Sequence, residues 1–350
     1  MTPFLFFWRK TKMKFALLTV LSIALIPAAH AQTCESEAYG CPDMASFMAR
    51  LNHTQQNAPA HIEPRSLTQE GGVLYLGTSA GVIYTSHDNG ATWQGLAKFR
   101  SDYVIDRIAV DGPRIYVAAW IMGNPSQGAF LRSENNGASW ELTSNKVFRA
   151  LALTYGCVHR ACTGKMIYAG GPDGVYLSTT AGYDFEKIST EIKDVQSIAV
   201  DGESIYVGTW HLGWYSHNNG MSWHHIDKGI INDSDFFSIV LDGNTIYIGA
   251  CSGIYKGNDD GERYRKEKTK TDARRTKVLQ QVSKTTLYAG TTDGVWVTAD
   301  AGKTWKRRGN RNIVVNDMLA LSATRLVIAT SRFGVIWSDD GGKSFTEAQF

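Results

Sequence analysis

Two carboxylates set among cations are the residues of this 350-residue chain that could run acid–base chemistry. Asp106 and Asp317 each open an apolar, strand-like run. Arg65, Arg107, Arg149, Gln196, Lys277 and Asn316 hold comparable positions at the starts of other runs. If those starts converge, Asp106 and Asp317 could serve as acid and base for glycoside hydrolysis, with Arg65 and Arg149 beside them. No Cys/His spacing suits a metal site, no cofactor is expected, and His224-His225, just after a tryptophan, read as packing or solvent-facing side chains.

The elements that must position these residues are marked by an eight-residue phrase that recurs seven times. SHDNGATW (86–93), SENNGASW (133–140), SHNNGMSW (216–223), TADAGKTW (298–305) and SDDGGKSF (338–345) are clear copies, while STTAGYDF (178–185) and GNDDGERY (257–264) are worn. Every copy keeps a glycine (Gly90, Gly137, Gly182, Gly220, Gly261, Gly302, Gly342) and an aromatic three residues on: Trp93, Trp140, Phe185, Trp223, Tyr264, Trp305 and Phe345. Asp88, Asn135, Asn218, Asp259, Asp300 and Asp340 precede the glycine by two. A short polar side chain that accepts backbone N–H bonds, followed by a residue free to take φ > 0, is a tight turn between strands. These acids therefore read as structural rather than catalytic.

The pattern S-x-D-x-G-x-[ST]-W resembles the Asp-box, or bacterial neuraminidase repeat, of sialidases, sortilin-type receptors, xyloglucanases and photosystem II assembly factors. Seven boxes at spacings of 47, 45, 38, 41, 41 and 40 residues imply an all-β, seven-bladed β-propeller of four-stranded antiparallel blades. Each unit repeats one order of strands: an apolar first strand that often ends in Asp-Gly, a second such as SIYVGT, a third opening on glycine, then the box and a fourth. Blades are expected near 62–99, 100–146, 147–190, 191–230, 231–270, 271–311 and 312–350, with the last strand completing its own blade. Trp214, Trp296 and Trp337, on third strands, read as packing between blades.

Residues 1–31 read as a signal peptide, with Lys12 and Lys14, the apolar run 15–26 and cleavage after Ala31; Met13 is an alternative start. The expected location is periplasmic or secreted, without a membrane anchor in the mature chain. Of 36 Lys+Arg and 33 Asp+Glu, the leader holds four cations (Arg9, Lys10, Lys12, Lys14), leaving 32 against 33 and a net charge of −1. Global charge therefore gives no case for nucleic acid. Residues 32–61 form an N-terminal arm with a short helical stretch at 44–51. In an oxidising compartment Cys34–Cys41 and Cys157–Cys162 are expected disulfides, with Cys251 a buried free thiol.

In the propeller fold, the boxes and the first-to-second strand turns share one end of the ring. Sites use the other end, where loops vary. There Trp120 and Trp210-His211 read as loop-tip contacts, and RKEKTKTDARR (265–275) and KRRGNRN (306–312) read as a basic rim, with Arg307, Arg308 and Arg311 facing an acidic partner surface. Sialidases carry an Arg-Ile-Pro motif and six blades, whereas this chain has Ile62-Glu63-Pro64-Arg65 and seven units; xyloglucanases pair two propellers. A single seven-blade ring resembles the photosystem II assembly and stability factor family more closely, whose members hold a partner protein. Its second strands read GWxVG, against IYVGT here. The expectation is a monomeric, non-catalytic protein-binding propeller; the alternative is a glycoside hydrolase or glycan-binding lectin.

Overall fold

The computed structural model describes residues 63–158, 161–230, 234–258, 264–266 and 275–350, with backbone only for 156–158, 161–164 and 266. The leader, the N-terminal arm with Cys34 and Cys41, Asp259 and Gly261 of the fifth turn, and most of the 265–275 link lie outside the described residues.

Seven four-stranded antiparallel sheets follow one another along the chain, each with its strands in sequential order. The first strands are Pro64–Glu70, Tyr103–Asp111, Ala150–Val158, Val195–Asp201, Phe236–Asp242, Thr276–Gln281 and Val315–Ala320. Each touches the first strand of the next blade, and the seventh touches the first, so they line the axis of a closed β-propeller. The second strands are the most buried and carry a small residue opposite the first strand: Gly77, Ala118, Gly170, Gly208, Gly249, Gly290 and Ala329. Size matters there because the next blade presses in. A Cβ on Gly77 would lie 2.5 Å from Ile105, and one on Gly290 would lie 2.5 Å from Val315.

The repeated turn is built from hydroxyl, Asx and glycine together. In six blades the Ser or Thr that opens the phrase accepts the glycine N–H at 2.8–2.9 Å (Ser86, Ser133, Ser178, Ser216, Thr298 and Ser338). Five Asx side chains accept the N–H four residues on: Asp88, Asn135, Asn218, Asp300 and Asp340. The worn third copy uses Thr180, whose hydroxyl accepts Asp184 N–H at 2.9 Å. In the six described turns the residue before the glycine is also left-handed, including Ala181 (φ 52°) and Ala301 (φ 56°). The indoles of Trp93 and Trp140 fold back and donate to the carbonyls of Gly90 and Gly137.

Hydrogen bonds from the Thr304 hydroxyl and N–H and from the Thr298 hydroxyl hold the Asp300 carboxyl down at about 2, against 3.8 for a free one. A depressed folded-state pKa gives stability that is present above the unfolded value and lost as pH falls through the folded one. Asn fills the same position in Asn135 and Asn218 with the same backbone bond. Asp300→Asn is therefore expected to fold, and to show a shallower loss of melting temperature than wild type between pH ~4 and ~2. Parallel acid denaturation profiles would show that the carboxylate contributes nothing specific.

The last strand, Thr346–Glu347, pairs with Val335–Ser338 inside its own blade. The chain then crosses to blade 1: Gln349 exchanges bonds with Ala91 and Trp93 (3.0 and 2.8 Å), and Phe350 stacks on Trp93.

Candidate functional site

The two ends of the ring are distinguished by hydrogen bonds. First-to-second strand turns bond the repeated turns, as in Asn136 N–H to Pro113, Asn219 to Glu203 and Ala301 to Thr285. Second-to-third loops bond the links between blades at the opposite end, as in Ser79 to Glu63, Leu212 to Ser234 and Ser331 to Val314.

At that opposite end, six first strands carry a β-bulge at one equivalent place. The ladder skips Arg65, Asp106, Gln196, Phe237, Lys277 and Asn316. Arg149 holds the matching position in blade 3, its N–H bonded to Gly170. A bulge frees one residue from the pleat and re-aims it, a device common beside functional sites. Arg65, Asp106, Lys277 and Asn316 meet around the mouth. Arg65 lies 3.5 Å from Asp106 and 3.7 Å from Glu63. Lys277 donates to Asn316 (3.4 Å), and Asn316 donates to the Pro64 carbonyl (2.9 Å). Just inside, Arg107, Ser197, Ser238, Lys277, Asn316 and Asp317 contribute to the lining of a cavity of about 310 Å³. Phe237 was missed in the sequence; aligning FFSIVLDG with VQSIAVDG would have found it.

The structure does not support the Asp106–Asp317 acid–base pair. Asp317 accepts Leu67 N–H of blade 1 (2.8 Å) and Met318 N–H (2.8 Å). Ser66 and Ser238, at the same register position, likewise accept the N–H of the next blade (Ile108 at 3.2 Å, Leu279 at 3.0 Å). Asp317 thus does the work of a seam serine. Burial pushes its pKa up, and Arg107 opposes that rise. Asp106 faces Arg65. The Lys277 ammonium is driven down to about 7, by burial first, then by Arg65 and Arg275; Glu63 opposes and Arg107 adds.

Trp120 and Trp210 hold equivalent positions two residues after the small residue of the second strand, together with Ser79, Pro172, Cys251, Thr292 and Ser331. Trp120 is not at a loop tip. It lies within the strand Arg114–Ile121, paired with Val104 and Gly128, because this hairpin continues as ladder beyond the blade. Its exposed tip is 122–127, with Met122 53% exposed. Trp210 is half-buried at a bend, and its Nε1 is buried without a hydrogen-bond partner. His211 is exposed beside it. Blade 3 separates Trp120 from this pair, so the three do not form one cluster.

The basic rim also divides. Arg307 and Arg311 gather on Asp293 (3.6 and 4.0 Å). Arg308 instead turns into the seam with blade 7, its Cβ close to Gly342 and its Nε buried. A larger concavity of about 570 Å³ lies outside the mouth, between Gly309–Asn310 and the Phe333 and Phe345 side of blade 7.

Cys251 is disulfide-bonded, which overturns its assignment as a free thiol. It is buried, 2% exposed, but it follows the strand Thr245–Ala250 at the end of the blade, where another chain segment can reach it. Only four other cysteines exist, so Cys34–Cys41 and Cys157–Cys162 cannot both form. Cys157 and Cys162 are register partners in the ladder of blade 3, and their side chains lie outside the described set. Trp214 stacks on His225, Trp296 is buried and Trp337 lies under Arg325, in keeping with packing roles.

No family model matches the sequence, and no curated protein matches it. Solved structures do. YCF48 from Cyanidioschyzon merolae superposes with a TM-score of 0.62 at 14% identity, over 81% of this chain and 97% of that one. YCF48 bound to D1 peptide gives 0.61 at 13%, over 81% and 94%. The GH74 xyloglucanase from Xanthomonas campestris gives 0.64 at 16%, over 81% of this chain and 52% of the enzyme. At these identities the likeness shows the fold, a seven-bladed β-propeller.

Proposed function

We propose that this chain is an exported, non-catalytic propeller that binds a macromolecular partner, most strongly a protein, through the end opposite the repeated turns. The observation that carries the reading is Trp210. Its indole N–H is buried without a partner at a variable end of a rigid ring, next to exposed His211. A buried donor left unpaired is costly and calls for a partner, and tryptophan is enriched at binding hot spots. The protruding 122–127 hairpin, rooted at Trp120, and the Arg307–Asp293–Arg311 group supply further contacts at the same end. The YCF48 structure with bound D1 peptide shows that this fold can hold a peptide. Asp317 is committed to the seam and Asp106 to Arg65, which argues against hydrolysis. The signal-peptide reading of residues 1–31 supports an activity in the periplasm or outside the cell.

The test is capture from a periplasmic extract with the mature chain against Trp120→Ala and Trp210→Ala. Both variants should fold, and each should weaken retention of the captured partner roughly tenfold or more, as expected for hot-spot truncations of about 2 kcal/mol. Equal retention by wild type and both variants, or a glycosidase activity that Asp106→Asn abolishes, would sink the reading.

A further inference from the structure

We infer that the N-terminal arm is anchored on the end of the ring proposed for partner binding, by a disulfide from Cys251 of blade 5 to Cys34 or Cys41. The surface beside Trp210 is thereby shared with a segment of this same chain. The connectivity is read on the isolated protein, so it stands or falls apart from the capture experiment.

Position eliminates the other cysteines. Cys251 is disulfide-bonded, and the remaining cysteines of the chain are Cys34, Cys41, Cys157 and Cys162. Cys251 sits at the mouth end. Its N–H donates to the Asp235 carbonyl (2.9 Å), and its carbonyl accepts the Arg275 N–H (2.8 Å), both in links between blades. Cys157 and Cys162 are register partners beside the first-to-second strand turn of blade 3. That turn stands at the opposite end: next to it Tyr155 donates to Asp111 (2.8 Å) and Lys165 pairs with Asp111 (2.7 Å), the residue that ends the first strand of blade 2. From Ala150, at the mouth, the strand runs seven residues on to Cys157, about 23 Å at ~3.3 Å per residue. Blade 4 also stands between blade 3 and blade 5. A disulfide needs its two Cα atoms within about 7 Å. Cys157 and Cys162 are out of reach of Cys251, which leaves the two cysteines of the arm.

Burial points the same way. Of the seven equivalent positions after the second strands, six are half-buried and only Cys251 is buried, at 2% exposed. The arm has the length to arrive there. It enters the ring at Glu63, whose carbonyl accepts the Ser79 N–H (3.0 Å) at the mouth end of blade 1. Blades 4 and 5 are the two farthest from blade 1 around the ring. Glu63 follows Cys41 by 22 positions and Cys34 by 29. Even the shorter segment reaches about 70 Å when extended, against about 50 Å across a compact domain of this length. The anchor lands next to Trp210. The Leu212 N–H donates to the Ser234 carbonyl (3.1 Å), and the neighbouring Asp235 carbonyl holds Cys251. One link thus ties the Trp210–Leu212 bend to the cysteine, and a partner docking at Trp210 meets ring and arm together.

The experiment is peptide mapping of the full mature chain, alkylated and digested with trypsin without reduction. Expected is the peptide Gly229–Lys256 joined to Gln32–Arg50 and released by reduction. Gly229–Lys256 joined to Ala150–Arg160 or Ala161–Lys165, alkylated as a free thiol, or linking two copies in a dimer that reduction separates would each overturn the assignment. The placement is read by hydrogen exchange on a Cys34→Ser, Cys41→Ser double variant, which changes no described residue of the ring. Its Cys251 should become alkylated, and its Leu212 amide should exchange at least tenfold faster than in wild type, with the Gly302 amide of the repeated turn unchanged. A Leu212 amide that exchanges at the wild-type rate would remove the arm from the Trp210 surface. Peptide mapping is done on wild type, so it decides the connectivity even if the double variant fails to fold.

Discussion

Gly90→Ala is expected to destabilise the ring by about 3 kcal/mol or more, lowering the melting temperature by roughly 5–10 °C. Two costs add at this position. The backbone is left-handed (φ 88°), which an L side chain adopts at about 1–2 kcal/mol. The new methyl would also lie 2.7 and 2.8 Å from the two γ-carbons of Val327 in blade 7. Val327 is fully buried in a second strand, so it cannot step aside. The clash falls on the contact between first and last blades, where Gln349 and Phe350 close the circle. Gly112→Ala is the control: its φ is 56° but no atom lies within 4 Å, so only the backbone cost of about 1 kcal/mol remains. Thermal denaturation of both variants, and of Gly90→Ala in a Val327→Ala background, separates the two costs. The clash should shrink in the double variant, a coupling that additive effects would not show. If Gly90→Ala costs no more than Gly112→Ala, the contact with Val327 does not constrain the ring.

The turn is also why the fold was legible in the sequence. Its chemistry is local: a hydroxyl, an Asx and a glycine within five residues satisfy the backbone of one bend, so each blade must spell the motif out. Even the worn STTAGYDF copy shows its substitute, with Thr180 in the Asx place. The mouth was only half legible. Arg65, Asp106, Arg149, Lys277 and Asn316 could be picked out as strand starts. The bulge that turns most of them inward adds one residue without changing composition, and Phe237 passed as an ordinary strand residue. Trp120 was misplaced because ladder pairing runs past the blade in a segment containing Gly, Asn and Pro. Cys251 was misread because disulfide connectivity is tertiary, and its strand looks like any other from within.

Asp317→Leu is the second large effect, and it separates the structural from the catalytic reading of the one acid in the cavity lining among the described residues. The substitution takes the acceptor from Leu67 N–H and from Met318 N–H. A buried donor left unmade costs about 1–3 kcal/mol. It also removes the negative charge facing Arg107 and Lys277, and leaving buried charge uncompensated is among the costlier changes, at about 3–5 kcal/mol. A loss of about 4 kcal/mol is expected. Asp317→Ser should recover much of it, because Ser66 and Ser238 make the same bond to the next blade with a hydroxyl. Asp106→Asn should cost under about 1 kcal/mol, since its ion pair with Arg65 is long and partly exposed. Denaturant unfolding of the three variants gives the order Leu far worst, Ser intermediate, Asp106→Asn nearly neutral. An Asp317→Leu protein as stable as wild type would refute the seam role. An Asp317→Ser protein that folds normally but loses a measurable glycosidase activity would return Asp317 to catalysis, and with it the enzyme reading of the mouth.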